Sequence, residues 1–255
     1  MKPRILFYDI ETTPLKAYIW GLGQQIINHG QLVKKNGIPS MYKIICISYA
    51  WNDDRPAKCI HWGIHRNTGR VIKEFDKIIK LADIAIGKNS DNFDIKHINI
   101  QRMLHKHTGM PDWAIYTEDL EKQLRKYFYL PSYSLDYISN LLGRGGKIKM
   151  ELQDWINLVE KNDMKTLKKM IKYNLKDVED TRALWYRLLP HIIPKFNQAT
   201  FYQDIRCRTC GSKKIKMNGT RVRGKTRYQT FFCNEHGGYA GEAPINKKGD
   251  IGKIG

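Results

Sequence analysis

The chain has 255 residues, with 44 lysines and arginines against 25 aspartates and glutamates, which gives a formal net charge of +19. Its 42% of hydrophobic residues can bury a core, and this excludes wholesale disorder. Such a charge attracts polyanions, so nucleic acid is the first partner to consider and an anionic membrane surface the second, unless the charge serves only solubility.

Membrane insertion and secretion are not expected. No apolar run approaches the ~18 residues that a membrane-spanning helix needs. The N-terminus reads as the start of a strand and lacks the hydrophobic region of a signal peptide. Five cysteines in a chain of this length do not make a disulfide framework. We therefore expect a cytoplasmic protein without a membrane anchor.

The hydrophobic pattern predicts an α/β protein. An apolar run over 4–10 predicts a first strand, and an irregular excursion over 14–42 follows it. Two strands on either side of a turn at 52–56 indicate an antiparallel hairpin, and strands then alternate with helices, as in a mixed sheet. The later predicted strands are 43–51, 57–62, 83–86 and 114–117, and the helices are 71–81, 94–107, 119–129, 134–142, 151–160 and 163–189.

The composition changes after Pro190. The stretch 190–203 contains two prolines, and arginine, lysine, glycine and cysteine dominate the residues after it. We place a domain boundary near 195–205. The sequence thus predicts a larger domain over 1–195 and a small domain over 204–255.

A pair of carboxylates stands at the end of the first predicted strand. Asp9 and Glu11 flank Ile10, and the alternation of side chains along a strand places both on one face. Such carboxylates repel each other unless a cation lies between them, and oxygen ligands favour hard ions such as Mg²⁺ or Mn²⁺. Solvated acids at a strand end are the alternative explanation.

Two further motifs carry acids. Asp94 ends a loop of turn-forming residues at or near a helix N-terminus, where aspartate is also a common cap. Tyr173 and Asp177 lie one turn apart on one face of the long C-terminal helix, a pattern that an ordinary amphipathic helix can also produce. Asp180 shares that face and is an alternative to Asp177 as a metal ligand.

The order of these motifs, D-x-E at 9–11, N-x3-F-D at 89–94 and Y-x3-D at 173–177, resembles the DEDD superfamily of 3′→5′ exonucleases. The tyrosine indicates the DEDDy branch, since the histidine branch would have His where Lys172 stands. The resemblance covers roughly 4–190 and implies an RNase H-like mixed sheet flanked by helices. The segments 133–147 and 11–22 are similar to the family's linking segment and to its stand-alone phage-type members.

The resemblance also implies roles for individual residues. Asp9 would bridge two Mg²⁺ or Mn²⁺ ions, Glu11 and Asp177 would complete the first site, and Asp94 would hold the second ion. Tyr173 would orient the attacking water, since a phenol with a pKa near 10 is a poor base at neutral pH. Three further residues are expected near the substrate or the acids: Thr12 as a contact to the terminal nucleotide, Asn89 as a support of the Asp94 loop, and Lys147 as either a phosphate contact or a solvated lysine.

The implied activity is release of nucleoside 5′-monophosphates from a free 3′ end, with DNA favoured over RNA as the partner. A 3′→5′ exoribonuclease of the same branch would use the same acids. A structure-specific endonuclease on the RNase H-like fold is the second alternative. A pure binding module would lack at least one of these acids.

The C-terminal domain contains a metal-ligand pattern of its own, Cys207-x2-Cys210 and Cys233-x2-His236, with 22 residues between the two pairs. This spacing is typical of a zinc ribbon with one tetrahedral structural Zn²⁺. A module of about 50 residues has little core, so the metal would supply most of its folding free energy. Cys46 and Cys59 lie in predicted strands and are expected in the core.

Basic residues alternate with others between the two ligand pairs. Arg221, Arg223, Lys225 and Arg227 are predicted to lie beside Tyr228 on a hairpin, where cations can contact phosphates and the ring can stack on a base. A solvated hairpin face is the alternative. The ribbon is then expected to hold nucleic acid near the active site and to raise processivity.

Overall fold

The computed structural model describes residues 2–21, 23–24, 26–107, 115–146, 148–246 and 249–254. Lys147, for which a phosphate contact is predicted, lies outside the described residues. The same holds for Leu22 and Ala114 at the ends of two predicted segments, and for Met1 and Gly255 at the ends of the predicted domains.

The described chain forms strands and helices in the predicted α/β order. The strands are β1 (Ile5–Thr12), β2 (Lys34–Lys35), β3 (Ile38–Pro39), β4 (Ile44–Trp51), β5 (Lys58–His61), β6 (Ile84–Gly87), β7 (Tyr116–Asp119), β8 (Ile215–Arg223), β9 (Thr226–Cys233) and β10 (Gly238–Pro244). The helices are α1 (Thr68–Ile79), α2 (Asp94–Leu104), α3 (Leu120–Tyr127), α4 (Leu135–Leu141), α5 (Leu152–Lys161) and α6 (Met164–Leu188). Short 3-10 helices cover His29–Gln31 and Gln198–Phe201.

The central sheet has five strands in the order β5–β4–β1–β6–β7. Its middle strand, β1, runs antiparallel to β4 and parallel to β6, so the sheet is mixed, as the sequence predicts. Parallel pairing also explains a shifted boundary. The strand predicted over 114–117 is instead Tyr116–Asp119, because it pairs with β6 up to Gly87 and Asp119.

Both faces of the sheet are covered, which explains the unbroken apolar runs of β1 and β4. Along β1, Leu6, Tyr8 and Ile10 join a core with α1, α2, α5 and the first half of α6. Ile5 and Phe7 point the other way, into a core with α3, α4 and the second half of α6.

The segment after α6, up to the start of the boundary predicted near 195–205, is packed against the first domain. Ile192 and Phe196 are buried, and the Phe196 ring stacks on Trp185 with 5.8 Å between the ring centroids. The backbone N–H of Lys195 donates a hydrogen bond of 2.7 Å to the buried Glu118 carboxylate. The connection between the two predicted domains is therefore an ordered part of the fold.

The C-terminal part forms a three-stranded antiparallel sheet in the order β10–β9–β8. Its core is small and consists mainly of Cys207, Phe231, Cys233, Ala240 and Ala243. Among the described residues, no helix combines the length and the apolar composition needed to cross a bilayer.

Candidate active site and metal centre

Three carboxylates meet at the end of β1. One carboxylate oxygen from each of Asp9, Glu11 and Asp177 lies within 4.8 Å of the others. Strand alternation places Asp9 and Glu11 on the same face of β1 as Ile5 and Phe7. The helix α6 crosses this face and brings Asp177 over the strand, so residues 166 or more positions apart in the chain form one group.

Two residues of α6, Tyr173 and Asn174, interact with this group. Tyr173 lies one turn before Asp177 on the same helix face, where the sequence predicts it. Asn174 is fully buried and donates a hydrogen bond of 2.6 Å from Nδ2 to Oδ2 of Asp9. Sequence reasoning missed Asn174, although it directly follows the tyrosine that was singled out.

The electrostatics of the site favour a cation. Burial raises the pKa of Asp9 well above its usual range, and repulsion from Asp94, Glu11 and Asp177 raises it further. A positive ion among these oxygens would remove that repulsion, and carboxylate oxygens are the ligands that Mg²⁺ and Mn²⁺ prefer. The donor set therefore fits hard divalent ions.

Asp94 is the fourth predicted acid, and it lies next to this group. It is the first residue of α2, its side chain is buried, and its Oδ1 accepts a hydrogen bond of 3.1 Å from the backbone N–H of Ile10. This bond joins the Asp94 loop to β1 between the two strand acids. Burial raises the pKa of Asp94 to about 7, against hydrogen bonds from backbone N–H groups that favour the ionised form.

The loop before Asp94 is supported by a residue that the sequence analysis did not select. Asp119, at the end of β7, is fully buried and accepts hydrogen bonds from the backbone N–H groups of Asn89 at 2.8 Å and Asp91 at 3.3 Å. Asn89 adopts a left-handed conformation with φ of 57°, which asparagine tolerates better than most residues. The sheet topology could have pointed to Asp119, because the ends of the parallel strands β6 and β7 meet at one edge of the sheet.

A partly buried lysine lies near the same acids. The Nζ atom of Lys88 contacts Glu121 at 2.7 Å, and only 13% of the Lys88 side chain is exposed. Its positive charge lowers the pKa of Asp9 and of Asp94, although burial dominates at both carboxyl groups. Lys88 thus supplies part of the positive charge that this cluster needs.

The alternative ligand Asp180 points elsewhere. Its two carboxylate oxygens pair with Arg144 at 3.2 Å and with Lys176 at 2.5 Å. The geometry therefore favours Asp177 as the acid that α6 contributes to the cluster.

An open cleft borders Tyr173. It has a volume of about 570 Å³, and Asn140, Lys149 and Glu151 line it together with Tyr173. Thr12 is half-buried at the end of β1, one residue beyond Glu11. A lysine and a glutamate thus lie with Tyr173 in a cleft that is open to solvent.

The predicted zinc ligands also meet. Single ligand atoms from Cys207, Cys210, Cys233 and His236 lie within 4.8 Å of one another. Sγ of Cys207 is 3.2 Å from Nε2 of His236, and Sγ of Cys210 is 3.6 Å from Sγ of Cys233. These separations suit a tetrahedral ion with ligand bonds of about 2.0 to 2.3 Å, and three sulfurs with one imidazole are a donor set typical of Zn²⁺. Of the other cysteines, Cys46 is buried in β4 and Cys59 is partly buried in β5, as expected for core positions.

The cations predicted to lie beside Tyr228 are divided between the two faces of the β8–β9 hairpin. Arg221 lies opposite Tyr228, whereas Val222 lies opposite Arg227. Because opposite residues of an antiparallel pair share a face, Arg227 lies on the other face from Tyr228 and donates to Thr220 at 3.3 Å. The expectation that all four cations lie beside Tyr228 is therefore wrong for Arg227.

The two remaining arginines on the Tyr228 face share a carboxylate. Arg221 and Arg223 both pair with Glu242 of β10, the second at 3.2 Å. The guanidinium of Arg223 also lies 5.9 Å from the centroid of the Tyr228 ring. Lys225 is exposed in the turn between β8 and β9.

Comparison with known proteins gives a fold relationship. No protein-family model and no curated protein matches the chain. Among solved structures, it is similar to the family B DNA polymerase from the hyperthermophilic archaeon Pyrobaculum calidifontis, at 18% identity and a TM-score of 0.52. The match covers 74% of this chain and 25% of the polymerase, so the chain spans about a quarter of that protein's length. At this identity the likeness shows a shared fold alone, and it agrees with the predicted mixed sheet flanked by helices.

Proposed function

We propose that this chain is a metal-dependent 3′→5′ exonuclease that hydrolyses DNA from a free 3′ end to nucleoside 5′-monophosphates. The observation that carries the proposal is the convergence of Asp9, Glu11 and Asp177 within 4.8 Å, with Tyr173 one helical turn from Asp177. The motifs that contain these residues resemble the DEDDy exonucleases in order and spacing. The net charge of +19 suits a polyanionic substrate.

The metal ligands that we propose are Asp9, Glu11, Asp94 and Asp177, which would hold two Mg²⁺ or Mn²⁺ ions. Bound divalent ions lower the pKa of water and stabilise the leaving oxygen of an in-line phosphoryl displacement. The carboxylates of this chain supply the negative charge that retains such ions. Asn174 fixes one oxygen of Asp9 through its 2.6 Å hydrogen bond, which leaves the other oxygen of that carboxylate oriented for a ligand.

Tyr173 is proposed to orient the attacking water. Burial raises the pKa of its phenol, and the neighbouring Asp177 and Glu11 raise it further. The phenol therefore stays protonated at neutral pH and acts through hydrogen bonds, as donor and acceptor, without serving as a base. Thr12, beside the acids, is proposed to contact the terminal nucleotide, and Asn89 to steady the loop that carries Asp94.

The C-terminal domain is proposed to be a zinc ribbon that binds nucleic acid. Its four ligands would fill all positions of a tetrahedral Zn²⁺ ion, which leaves none for catalysis and gives the metal a structural role. Arg221, Arg223, Lys225 and Tyr228 are the proposed contacts to the strand, with Arg227 reaching it only from the opposite face of the hairpin.

The proposal is tested by a time course on 5′-labelled single- and double-stranded DNA with Mg²⁺, Mn²⁺ or EDTA. We expect a ladder of products that shorten from the 3′ end in the presence of either ion, and no products in EDTA. Asp9→Asn should remove more than about 99% of the activity, whereas Asp54→Asn, an exposed carboxylate outside the cluster, should keep it. An active Asp9→Asn variant would contradict the metal role.

The same assay separates the competing activities. Preferential cleavage of a matched RNA oligonucleotide would indicate the exoribonuclease. Cleavage of circular or 3′-blocked DNA would indicate an endonuclease, because an exonuclease needs a free 3′ terminus.

A further inference from the structure

The ribbon is attached at the opposite end of the central sheet from the acids. Ile5, at the start of β1, and Pro190, just after α6, line one cavity of about 710 Å³ together with Cys210 and His236 of the ribbon. A Cβ atom on Gly238 would come within 2.7 Å of the Pro190 carbonyl oxygen, so the two parts are in close contact. Asp9 and Glu11 lie at the other end of the same strand.

The length of α6 gives the distance between the acids and the ribbon. Tyr173 lies beside the acids and Leu188 at the ribbon end, and about 15 residues of helix between them span about 22 Å at 1.5 Å per residue. The expectation that the ribbon holds nucleic acid close to the active site is therefore not supported by its position.

The attachment is made by specific hydrogen bonds. The backbone N–H of Gln198 donates to the carbonyl of Arg208 at 2.6 Å, and its side-chain Nε2 donates to the carbonyl of Thr209 at 2.5 Å. Nδ2 of Asn197 donates to the carbonyl of Ile254 at 3.2 Å. Phe196, next to these residues, is packed in the core of the first domain, so these bonds attach the ribbon at the end of the sheet away from the acids.

A cleft of about 340 Å³ opens on the ribbon beside Ile193. Its described lining contains four cations, one carboxylate, that of Glu242, and two aromatic rings, besides Ile193 and Pro244. We define the ribbon cleft by its cations and rings, Arg208, Arg221, Arg223, Lys253, Tyr228 and Tyr239. Cations that outnumber the acids can bind phosphates, and the faces of partly exposed tyrosines can stack on unpaired bases.

We infer that the ribbon cleft binds a single-stranded segment of the substrate well upstream of the 3′ end that the acids hold, an inference that rests on the proposed function. A separation of about 22 Å corresponds to six or seven nucleotides at about 3.4 Å per nucleotide of a stacked strand. A strand of four nucleotides can then occupy the acid cluster without reaching the ribbon cleft, whereas a strand of twenty nucleotides occupies both.

The test is a length series of 5′-labelled single strands of 4, 6, 8, 12 and 20 nucleotides. The purified full chain is compared with a variant that carries Arg223→Ala and Tyr228→Ala, and with Lys213→Ala as the matched control. Lys213 is an exposed ribbon lysine that pairs with Asp204 and does not line the cleft. Thermal midpoints and zinc content establish that the ribbon is folded in each variant.

We expect the double variant to lose at least about tenfold in kcat/KM on the 20-nucleotide strand, in line with the loss of one base stack and one phosphate contact. The ratio of wild-type to variant kcat/KM should fall towards one below about six nucleotides, and Lys213→Ala should match the wild type throughout. A ratio that is the same at all lengths would overturn the inference.

Failure of the proposed function is recognised separately. If the wild type degrades no strand, binding of fluorescent 4- and 20-nucleotide strands in EDTA still reports on the ribbon cleft. If the double variant binds only the longer strand more weakly, the result supports a contact between the ribbon cleft and nucleic acid. Equal binding of both strands by the wild type and the variant would contradict that contact.

Discussion

Asn174 connects the core of the protein to the acid cluster. Its amide nitrogen donates to Oδ2 of Asp9 at 2.6 Å, and its amide oxygen accepts from the thiol of Cys46, 3.7 Å away in β4. The amide is thus fixed on both sides by neighbouring strands of the sheet. Because Asn174 is fully buried, this orientation of Asp9 does not depend on solvent.

We predict that Asn174→Ala lowers kcat by about 10- to 100-fold and weakens the response to Mg²⁺, as is usual when a residue that orients a metal ligand is removed. The measurement is kcat on labelled DNA as a function of Mg²⁺ concentration. Asn140→Ala, in the cleft beside Tyr173 but not bonded to Asp9, serves as the control. A kcat within twofold of the wild type would show that Asp9 needs no such support.

We predict that Asp94 makes the metal-free protein less stable as the pH rises. Burial raises its pKa from 3.8 to about 7. Between these values the unfolded chain has released the proton while the folded chain still binds it. The contribution of Asp94 to stability is therefore full below about pH 4 and is lost as the pH rises through 7, by at most about 4 kcal/mol at 1.36 kcal/mol per pH unit.

Asp94→Asn cannot ionise and should escape this loss. Urea unfolding in EDTA at pH 4.5, 6.0 and 7.5 should show the variant gaining free energy of unfolding relative to the wild type at each step. Asp9 contributes a loss of the same sign in both proteins, and removal of the Asp94 charge makes that loss smaller in the variant, which adds to the expected difference. A difference that does not change with pH contradicts the prediction.

Asp119 is predicted to hold the Asp94 loop in place. Asp119→Ala removes the acceptor of three backbone N–H groups, those of Asn89, Asp91 and Glu121. We expect a loss of about 2 to 4 kcal/mol in the free energy of unfolding, because buried donors would be left without partners. Hydrogen exchange should accelerate at residues 88–93, whereas the ribbon should exchange at its wild-type rate. Unchanged protection of this loop would show that Asp119 only caps α3.

Removal of one cysteine should release the proposed zinc ion. For Cys233→Ser we expect the zinc content to fall from one ion per chain to nearly none, and the ribbon to lose its fixed structure, because the core around Phe231 is small. Zinc analysis by mass spectrometry and amide exchange of β8–β10 measure both effects. Cys59→Ser, outside the ribbon, is the control. Full zinc content in Cys233→Ser would exclude this residue as a ligand.

The sequence alone predicted the order of the larger strands and helices, though not the short β2 and β3, and the residues that form both clusters, because local patterns carry that information. Alternation placed Asp9 and Glu11 on one face of a strand, and helical spacing placed Tyr173 with Asp177. In the same way, the spacing of the two Cys/His pairs predicted the four residues that come together in the ribbon.

Only the tertiary structure decided what depends on packing between distant segments. The choice between Asp177 and Asp180 as the acid of the cluster depended on the ion pairs that Asp180 makes with Arg144 and Lys176. No local sequence pattern encodes these pairs. The support from Asn174 and Asp119 needed the crossing of α6 over β1 and the pairing of β7 with β6. The ribbon lies at the far end of α6 from the acids because the residues around Phe196 pack against Trp185. This contact between side chains depends on how the whole chain folds.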